Sequence, residues 1–331
     1  MKIGNVEILH GLFLAPMAGF SDRAMRRVCH ELGAEYSVSE MISAKAVTFG
    51  DKKTFSLAAI REDEGPVALQ IFGSDPEIMG RAATILSEKD WASDGLASPV
   101  AIDINMGCPV HKIFSNGEGS ALMRDPDLIY RIVSSVKDNT YLPVTVKHRT
   151  GIDAEHINAV ECALAAQDGG AALITVHGRT KAQMYSGGVD RDTIGRVKRA
   201  VRVPVIANGD ILSADDAVSM LKDTGADGVA VGRGAVGNPF VFCEIRAVLG
   251  GAPFTPPTLE EKVDVALRQL KLAIEDKGEE KAVPEARKQI ASYLHSFRGA
   301  AQIRAKINRA LTYGEIEAIF AESLKEEQNQ Y

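Results

Sequence analysis

Along the chain, apolar residues gather into short runs of strand length that return at nearly regular intervals. Eight stand out: residues 12–19 (LFLAPMAG), 34–40 (AEYSVSE), 67–73 (VALQIFG), 100–107 (VAIDINMG), 142–151 (LPVTVKHRTG), 171–180 (AALITVHGRT), 203–210 (VPVIANGD) and 225–234 (GADGVAVGRG). Their apolar stretches are nearly continuous, as in strands buried on both faces of a parallel sheet. The segments between them carry helical periodicity and start signals. Asp75 precedes Pro76 and Asp125 precedes Pro126, a capping side chain before a proline at the first helical position, and Ser213 stands at capping-box spacing from Asp216. Eight strand and helix units in about 240 residues predict one closed α/β barrel, the TIM (β/α)8 architecture, over residues 1–249. An open doubly wound sheet is disfavoured, because LAPMAG stands where a GxGxxG turn would follow the first strand.

The pattern changes at GGAPFTPPT, residues 250–258, which reads as a linker. Thr258 and Glu261 then form a capping-box signature, and residues 259–331 predict a small all-helical domain. Its helices are expected over about 259–276, from Pro284 onward, and before Leu311, with the tail EEQNQY frayed.

Composition narrows the class. Hydrophobic residues make up 45% and charged residues 25%, ordinary for a globular enzyme-sized chain, and no segment approaches the length of an apolar membrane span. Cys29, Cys108, Cys162 and Cys243 lie far apart with no Cys/His cluster, so neither a disulfide framework nor a metal site is expected, and a cytoplasmic location fits. The net charge of −6 argues against a protein coated in nucleic acid, yet it hides a local imbalance. Residues 281–310 hold seven basic residues against the single acidic Glu285.

In such a barrel, chemistry sits at the C-terminal ends of the strands. The first run ends in Pro16, Met17 and Ala18; the third carries Gln70; the fourth gives Asn105 and Cys108. The fifth supplies Lys147, His148 and Arg149, the sixth His177 and Arg179, the seventh Asn208, Gly209 and Asp210, and the eighth Gly232, Arg233 and Gly234. Any one of these could be a satisfied structural side chain. Amide, ammonium, imidazole and guanidinium groups converging on one rim imply an anionic, hydrogen-bond-rich ligand. The glycine loops after the last two strands suit a phosphate, with Arg233 adding a charge-assisted contact.

LAPMAGFSD, DINMGCP, VTVKHRTG, ITVHGRT, VIANGDI and GVAVGRGAVGNP together resemble the tRNA-dihydrouridine synthases, FMN-dependent enzymes that reduce the 5,6 double bond of uridines in tRNA. The resemblance implies that Pro16, Met17, Ala18, Gln70, Lys147 and His177 contact the flavin ring region. It likewise implies that Asn208, Gly209, Asp210, Gly232 and Arg233 hold the ribityl phosphate end. Asn105 is expected near the substrate uracil, and Arg149 and Arg179 near the tRNA. NADPH or NADH is implied as a transient reductant. A thiol with a reference pKa near 8.5 is protonated at neutral pH, so Cys108 is expected to act as the general acid. Gly107, Gly117 and Gly119 would let its loop move over the substrate.

The chain departs from the family after GCP, where relatives carry a basic run and this sequence reads Val110-His111-Lys112-Ile113-Phe114-Ser115. The basic stretch of the tail, with Arg287, Arg298 and Arg304, is assigned to tRNA, although Gly299 threatens any single stripe. Two competing readings are a dihydroorotate-dehydrogenase-like or ene-reductase-like flavoenzyme acting on a small molecule, and a catalytically silent RNA-binding protein. The basic tail separates the first from the tRNA enzyme, and bound flavin separates the second.

Overall fold

Every one of the eight apolar runs forms a strand within its predicted limits in the computed structural model, which describes residues 1–294 and 299–328. The strands are β1 Leu12–Leu14, β2 Tyr36–Val38, β3 Val67–Phe72, β4 Ala101–Met106, β5 Val144–Arg149, β6 Leu173–His177, β7 Val205–Asn208 and β8 Gly228–Val231. Each pairs in parallel with the next, and β8 returns to β1 with Val229 opposite Leu12, so the sheet closes. Ile42–Ser43 lies as a short extra strand against β3.

Helices α1 Arg23–Glu31, α2 Ala44–Thr48, α3 Lys52–Ala58, α4 Pro76–Glu88, α5 His111–Ser115, α6 Pro126–Asp138, α7 Ala159–Asp168, α8 Arg191–Ala200, α9 Ala214–Thr224 and α10 Val241–Leu249 follow the strands. The predicted caps form. Asp75 accepts from the Ile78 N–H, Asp125 from Leu128 and Ser213 from Asp216, at 3.0, 3.0 and 3.2 Å.

Alternation sorts the strand residues into two sets. Leu12, Leu14, Leu69, Ile71, Ile102, Ile104, Val144 and Val146 pack with the surrounding helices. Phe13, Tyr36, Ala68, Ala101, Leu173, Ile206 and Ala230 pack with one another inside the barrel. Ile3 and Ile8 join that inner set from an antiparallel hairpin, Lys2–Ile3 against Val6–Glu7, which seals the N-terminal end. The Gly4-Asn5 pair between its two arms is the sequence signal for this hairpin.

The tail is helical, with two corrections to the expected layout. The helices are α11 Leu259–Lys277, α12 Glu279–Ser292, α13 Ala300–Ile307 and α14 Tyr313–Gln328. Thr258 and Glu261 form the predicted capping box. Helix α12 begins before Pro284 rather than at it, since the apolar positions Ala282, Val283, Ala286 and Ile290 hold the helix together across the proline. A fourth helix, α14, buries Ile316 and Phe320, an apolar pair whose i,i+4 spacing was the available sequence signal. Part of the tail expected to fray is therefore helical to Gln328.

The four helices share a core of their own, including Val263, Leu270, Ile290, Ile303, Ile307 and Phe320. They are fastened to α1 by charge. Arg268 binds Glu31 through Nε at 2.8 Å, Arg23 reaches Asp276 at 2.9 Å, and Lys277 reaches Asp22 at 2.7 Å.

Candidate active site

Where the strands end, one cavity of about 1020 Å³ opens. Among its lining residues are Pro16, Met17, Ala18, Gln70, Asn105, Cys108, Lys147, Arg149, His177, Arg179, Asn208, Gly209, Asp210, Gly232 and Arg233. Of the strand-end residues singled out from the sequence, His148 is the exception, being fully buried outside the lining with its Nδ1 2.7 Å from the Arg149 carbonyl oxygen. Strand alternation explains the convergence. Gln70, Asn105, Lys147, Arg149, His177 and Asn208 all stand in the inward phase set by Ala68, Ala101 and Ile206.

The ends of β7 and β8 form a glycine-bearing cradle. Asn208 Nδ2 donates to the Ala230 carbonyl at 2.7 Å, tying the two strand ends together. Gly209 and Asp210 both have positive φ, +129° and +48°, which turns the chain back sharply. A Cβ on Gly234 would lie 2.1 Å from the Ile211 carbonyl oxygen, so only glycine lets the two loops meet. The Asp210 carboxylate is gripped by Arg179 on one side and by Arg233, at 3.1 Å, on the other. Arg233 is half exposed over the Tyr185 ring, 5.0 Å from its centroid, and keeps donors toward the cavity.

Two arginines differ from their expected place at an RNA surface. Arg149 is 3% exposed and Arg179 is 2% exposed. Arg149 donates from Nε to the Gly107 carbonyl at 2.7 Å, and from one terminal nitrogen to the carbonyls of Thr180 and Met184, both at 2.9 Å. Arg179 holds the Gly187 carbonyl at 2.6 Å besides Asp210. Their geometry is that of braces within the rim.

The loop carrying Cys108 is likewise more firmly held than its glycines imply. The Asn105 Oδ1 accepts from the N–H groups of Gly107 and Cys108 at 3.1 and 2.9 Å. Ser120 donates from its hydroxyl to the Cys108 carbonyl at 2.8 Å, and Gly119, at φ +60°, brings that segment against the Cys108 Cβ. Cys108 itself is half-buried in the cavity wall. Desolvation pushes its pKa above the ordinary thiol value, opposed by the Val110 N–H and by the Arg149 and Lys147 charges.

Electrostatics separates the other titratable groups. Burial pushes the Lys147 ammonium down to about 7, the Arg149 guanidinium adding to the effect while Asp103 opposes it. Burial also drives His177 far below the ordinary imidazole range, with Lys147, Arg149, Arg179 and Arg233 all repelling a proton, so its ring is neutral. His177 can therefore accept one hydrogen bond and donate another.

Sequence reasoning missed several participants. Met41, Tyr185, Lys262, Lys288 and Tyr293 also line the cavity, and Lys262, Lys288 and Tyr293 come from the helical tail. Lys288 sits 5.3 Å from the centroid of the Phe20 ring, which stands just after the Pro16 to Ala18 loop. By contrast, neither Arg287 nor Arg304 lines the cavity. Arg287 donates from Nε to the Ala310 carbonyl at 2.7 Å, a bond within the tail. Arg298 lies outside the described residues. Since α12 ends at Ser292 and α13 begins at Ala300, after Gly299, the basic residues do not share one helix face. Among the described residues, no group of acidic, cysteine and histidine side chains could hold a metal ion, and no helix is long and apolar enough to cross a membrane.

The fold and the rim together define a TIM-barrel site lined by amide, imidazole and cationic side chains, with a half-buried thiol at its edge. The chain belongs to the dihydrouridine synthase family: the family model described as "Dihydrouridine synthase (Dus)" matches residues 13–329. It is 36% identical to the "Probable tRNA-dihydrouridine synthase" of Treponema pallidum, over 98% of this chain and 96% of that one. It is 40% identical to the "tRNA-dihydrouridine synthase B" of Xanthomonas campestris pv. campestris, over 94% and 92%. Among solved structures, 6-hydroxypseudooxynicotine amine oxidase from Pseudomonas geniculata superposes with a TM-score of 0.56 at 14% identity, covering 76% of this chain and 49% of that one, a likeness of fold.

Proposed function

We propose that this protein reduces the 5,6 double bond of uridines in tRNA, using FMN held at the barrel mouth and NADPH as the source of electrons. The observation that carries the reading is the meeting of Cys108, Gln70, Lys147, His177 and the β7–β8 cradle on one cavity in a chain of this family. FMN suits the residues present. A floor of Ala15, Pro16 and Met17 offers an apolar surface for a flat ring, and the Gly209 to Asp210 and Gly232 to Gly234 backbones with Arg233 offer donors for a terminal phosphate.

When bound, FMN would supply the hydride for uracil C6, with the nicotinamide as the source of its electrons. The chain's own residues account for the rest. Cys108 gives its thiol proton to C5, forming the new C5–H bond as the C5–C6 double bond is lost, and the thiolate left behind recovers a proton from solvent. Val110 N–H, Arg149 and Lys147 stabilise that thiolate as it forms, while burial keeps the thiol protonated beforehand. Lys147, poised near neutrality, would take its charged form beside a bound anion and so help to hold one in the cavity. Arg149 and Arg179 act as braces of the rim, and Lys262 and Lys288 offer cations to the RNA on the helical side. Residues 1–249 are the catalytic barrel, 250–258 the linker and 259–331 the part that orients tRNA, in the cytoplasm.

The test is direct. Purified protein with FMN, NADPH and an unmodified tRNA transcript is digested and its nucleosides are measured by mass spectrometry. Dihydrouridine is expected. Its absence, alongside NADPH oxidation with a small enone or orotate, would transfer the reading to a small-molecule flavoenzyme.

A further inference from the structure

Inside the barrel, beneath the residues already described, a buried carboxylate heads a chain of hydrogen bonds that ends at the Cys108 loop. Asp103, on β4, is 2% exposed. Its Oδ1 accepts from the Thr145 hydroxyl at 2.5 Å and its Oδ2 from Gln70 Nε2 at 2.8 Å. Gln70 Oε1 accepts from Asn105 Nδ2 at 2.7 Å, and Asn105 Oδ1 then accepts from the Gly107 and Cys108 N–H groups. Every donor along the chain faces Asp103.

That uniform direction has a chemical cause. Burial pushes the Asp103 carboxyl above the usual carboxylate range, while the Thr145 and Gln70 donors and the Lys147 charge favour its ionised form. As a carboxylate it accepts only, so it compels Gln70 to turn its NH2 inward and its oxygen toward Asn105. Asn105 must then turn its own NH2 to Gln70, which leaves its oxygen facing the loop. Amide oxygen and nitrogen are nearly the same size, so without the carboxylate either orientation packs equally well. With Asn105 reversed, its NH2 would confront two backbone donors and the loop would lose its anchor.

We infer that Asp103 is a positioning residue, which through the orientation of Gln70 and Asn105 fixes the backbone of the loop that presents Cys108. The inference adds to the proposed reaction a residue that never meets the substrate, and it rests on that reading only for the purpose served by Cys108.

The test measures thiol access, not turnover. Full-length protein without flavin is treated with iodoacetamide, and alkylation of each cysteine is followed by peptide mass spectrometry. Asp103→Leu should raise the Cys108 rate about fivefold, the loss of roughly one hydrogen bond's worth of anchoring. The rate at Cys243, half-buried on α10 with its thiol against the Leu32 carbonyl, should not change. Thr145→Val, which removes one of the two donors to Asp103, should act in the same direction, and Thr145→Ser should restore the wild-type rate. A wild-type Cys108 rate in folded Asp103→Leu, or equal acceleration at Cys108 and Cys243, would overturn the inference. Should Asp103→Leu not fold, equal Cys108 rates in Thr145→Val and Thr145→Ser would do the same. Because flavin and tRNA are absent, failure of the proposed activity leaves this measurement intact, and the two failures are told apart.

Discussion

Replacing Cys108 by alanine removes the thiol and almost nothing else. The hydrogen bonds that fix residue 108 run through its backbone, from its N–H to Asn105 at 2.9 Å and from Ser120 to its carbonyl at 2.8 Å, and alanine preserves both. The uridine step should therefore lose only its proton donor, a drop of about 10² to 10⁴-fold, or roughly 3–5 kcal/mol in the barrier. Flavin content and flavin reduction by NADPH should stay at wild-type levels. In the wild type, burial raises the thiol pKa, so the uridine step should be level across neutral pH and decline only above the ordinary thiol range. The assay is single-turnover: flavin reduced in advance, without oxygen, is mixed with unmodified tRNA and its reoxidation is followed by absorbance. A wild-type reoxidation rate in Cys108→Ala would refute the assignment, and a falling limb below neutral pH would refute the account of the thiol's environment.

Three further outcomes are expected. On the proposed reading the β7–β8 cradle takes a terminal monoester, so flavin released by heating should be FMN by chromatography, and Arg233→Ala should weaken its retention by about tenfold or more, the loss of a charge-assisted bond; recovery of FAD would contradict this. Lys147 holds its proton less tightly folded than unfolded, so its cost to stability is full below pH 7 and is relieved as pH rises from about 7 toward the unfolded value. Urea midpoints of the flavin-free protein should accordingly rise over that interval relative to Lys147→Met, and parallel curves would move the lysine's perturbation elsewhere. Lys262→Glu combined with Lys288→Glu should weaken tRNA binding and lower the slope of log K against log salt by about one unit for each phosphate left without its cation, with FMN affinity kept; an unchanged slope would mean these cations face only water.

The eight strands and several helix starts were legible because a parallel barrel writes each strand as an apolar run, and because Asp75, Asp125 and Ser213 place a capping oxygen at the helix start, followed by a proline at Pro76 and Pro126. The rim was legible for a related reason: strand ends carry the polar residues that alternation turns inward. What sequence reading could not supply was partnership. Arg149 and Arg179 look like free cations in VKHRTG and HGRT, yet carbonyls from Gly107, Thr180, Met184 and Gly187 converge on them only after folding. Asp103 was in view within DINMGCP but stood there as one more polar residue in an apolar run. Its phase with Asn105, two residues on, was the signal that it faces the interior. Lys262, Lys288 and Tyr293 were hidden because their place at the mouth depends on how α11 and α12 lie against the β1 loop, a long-range packing that no local pattern encodes.

The N-terminal hairpin packs across the far end of the barrel, and among the described residues the doorway to the site lies at the C-terminal ends of the strands. On the proposed reading, nucleotide reductant and uridine must reach the same flavin through that doorway, and neither can remain while the other enters. Reduction and modification then become alternating visits: the oxidised dinucleotide departs before the RNA docks. Initial rates at several fixed tRNA concentrations should give parallel double-reciprocal lines against NADPH, each substrate in excess obstructing the other, whereas intersecting lines would require a second route into the barrel.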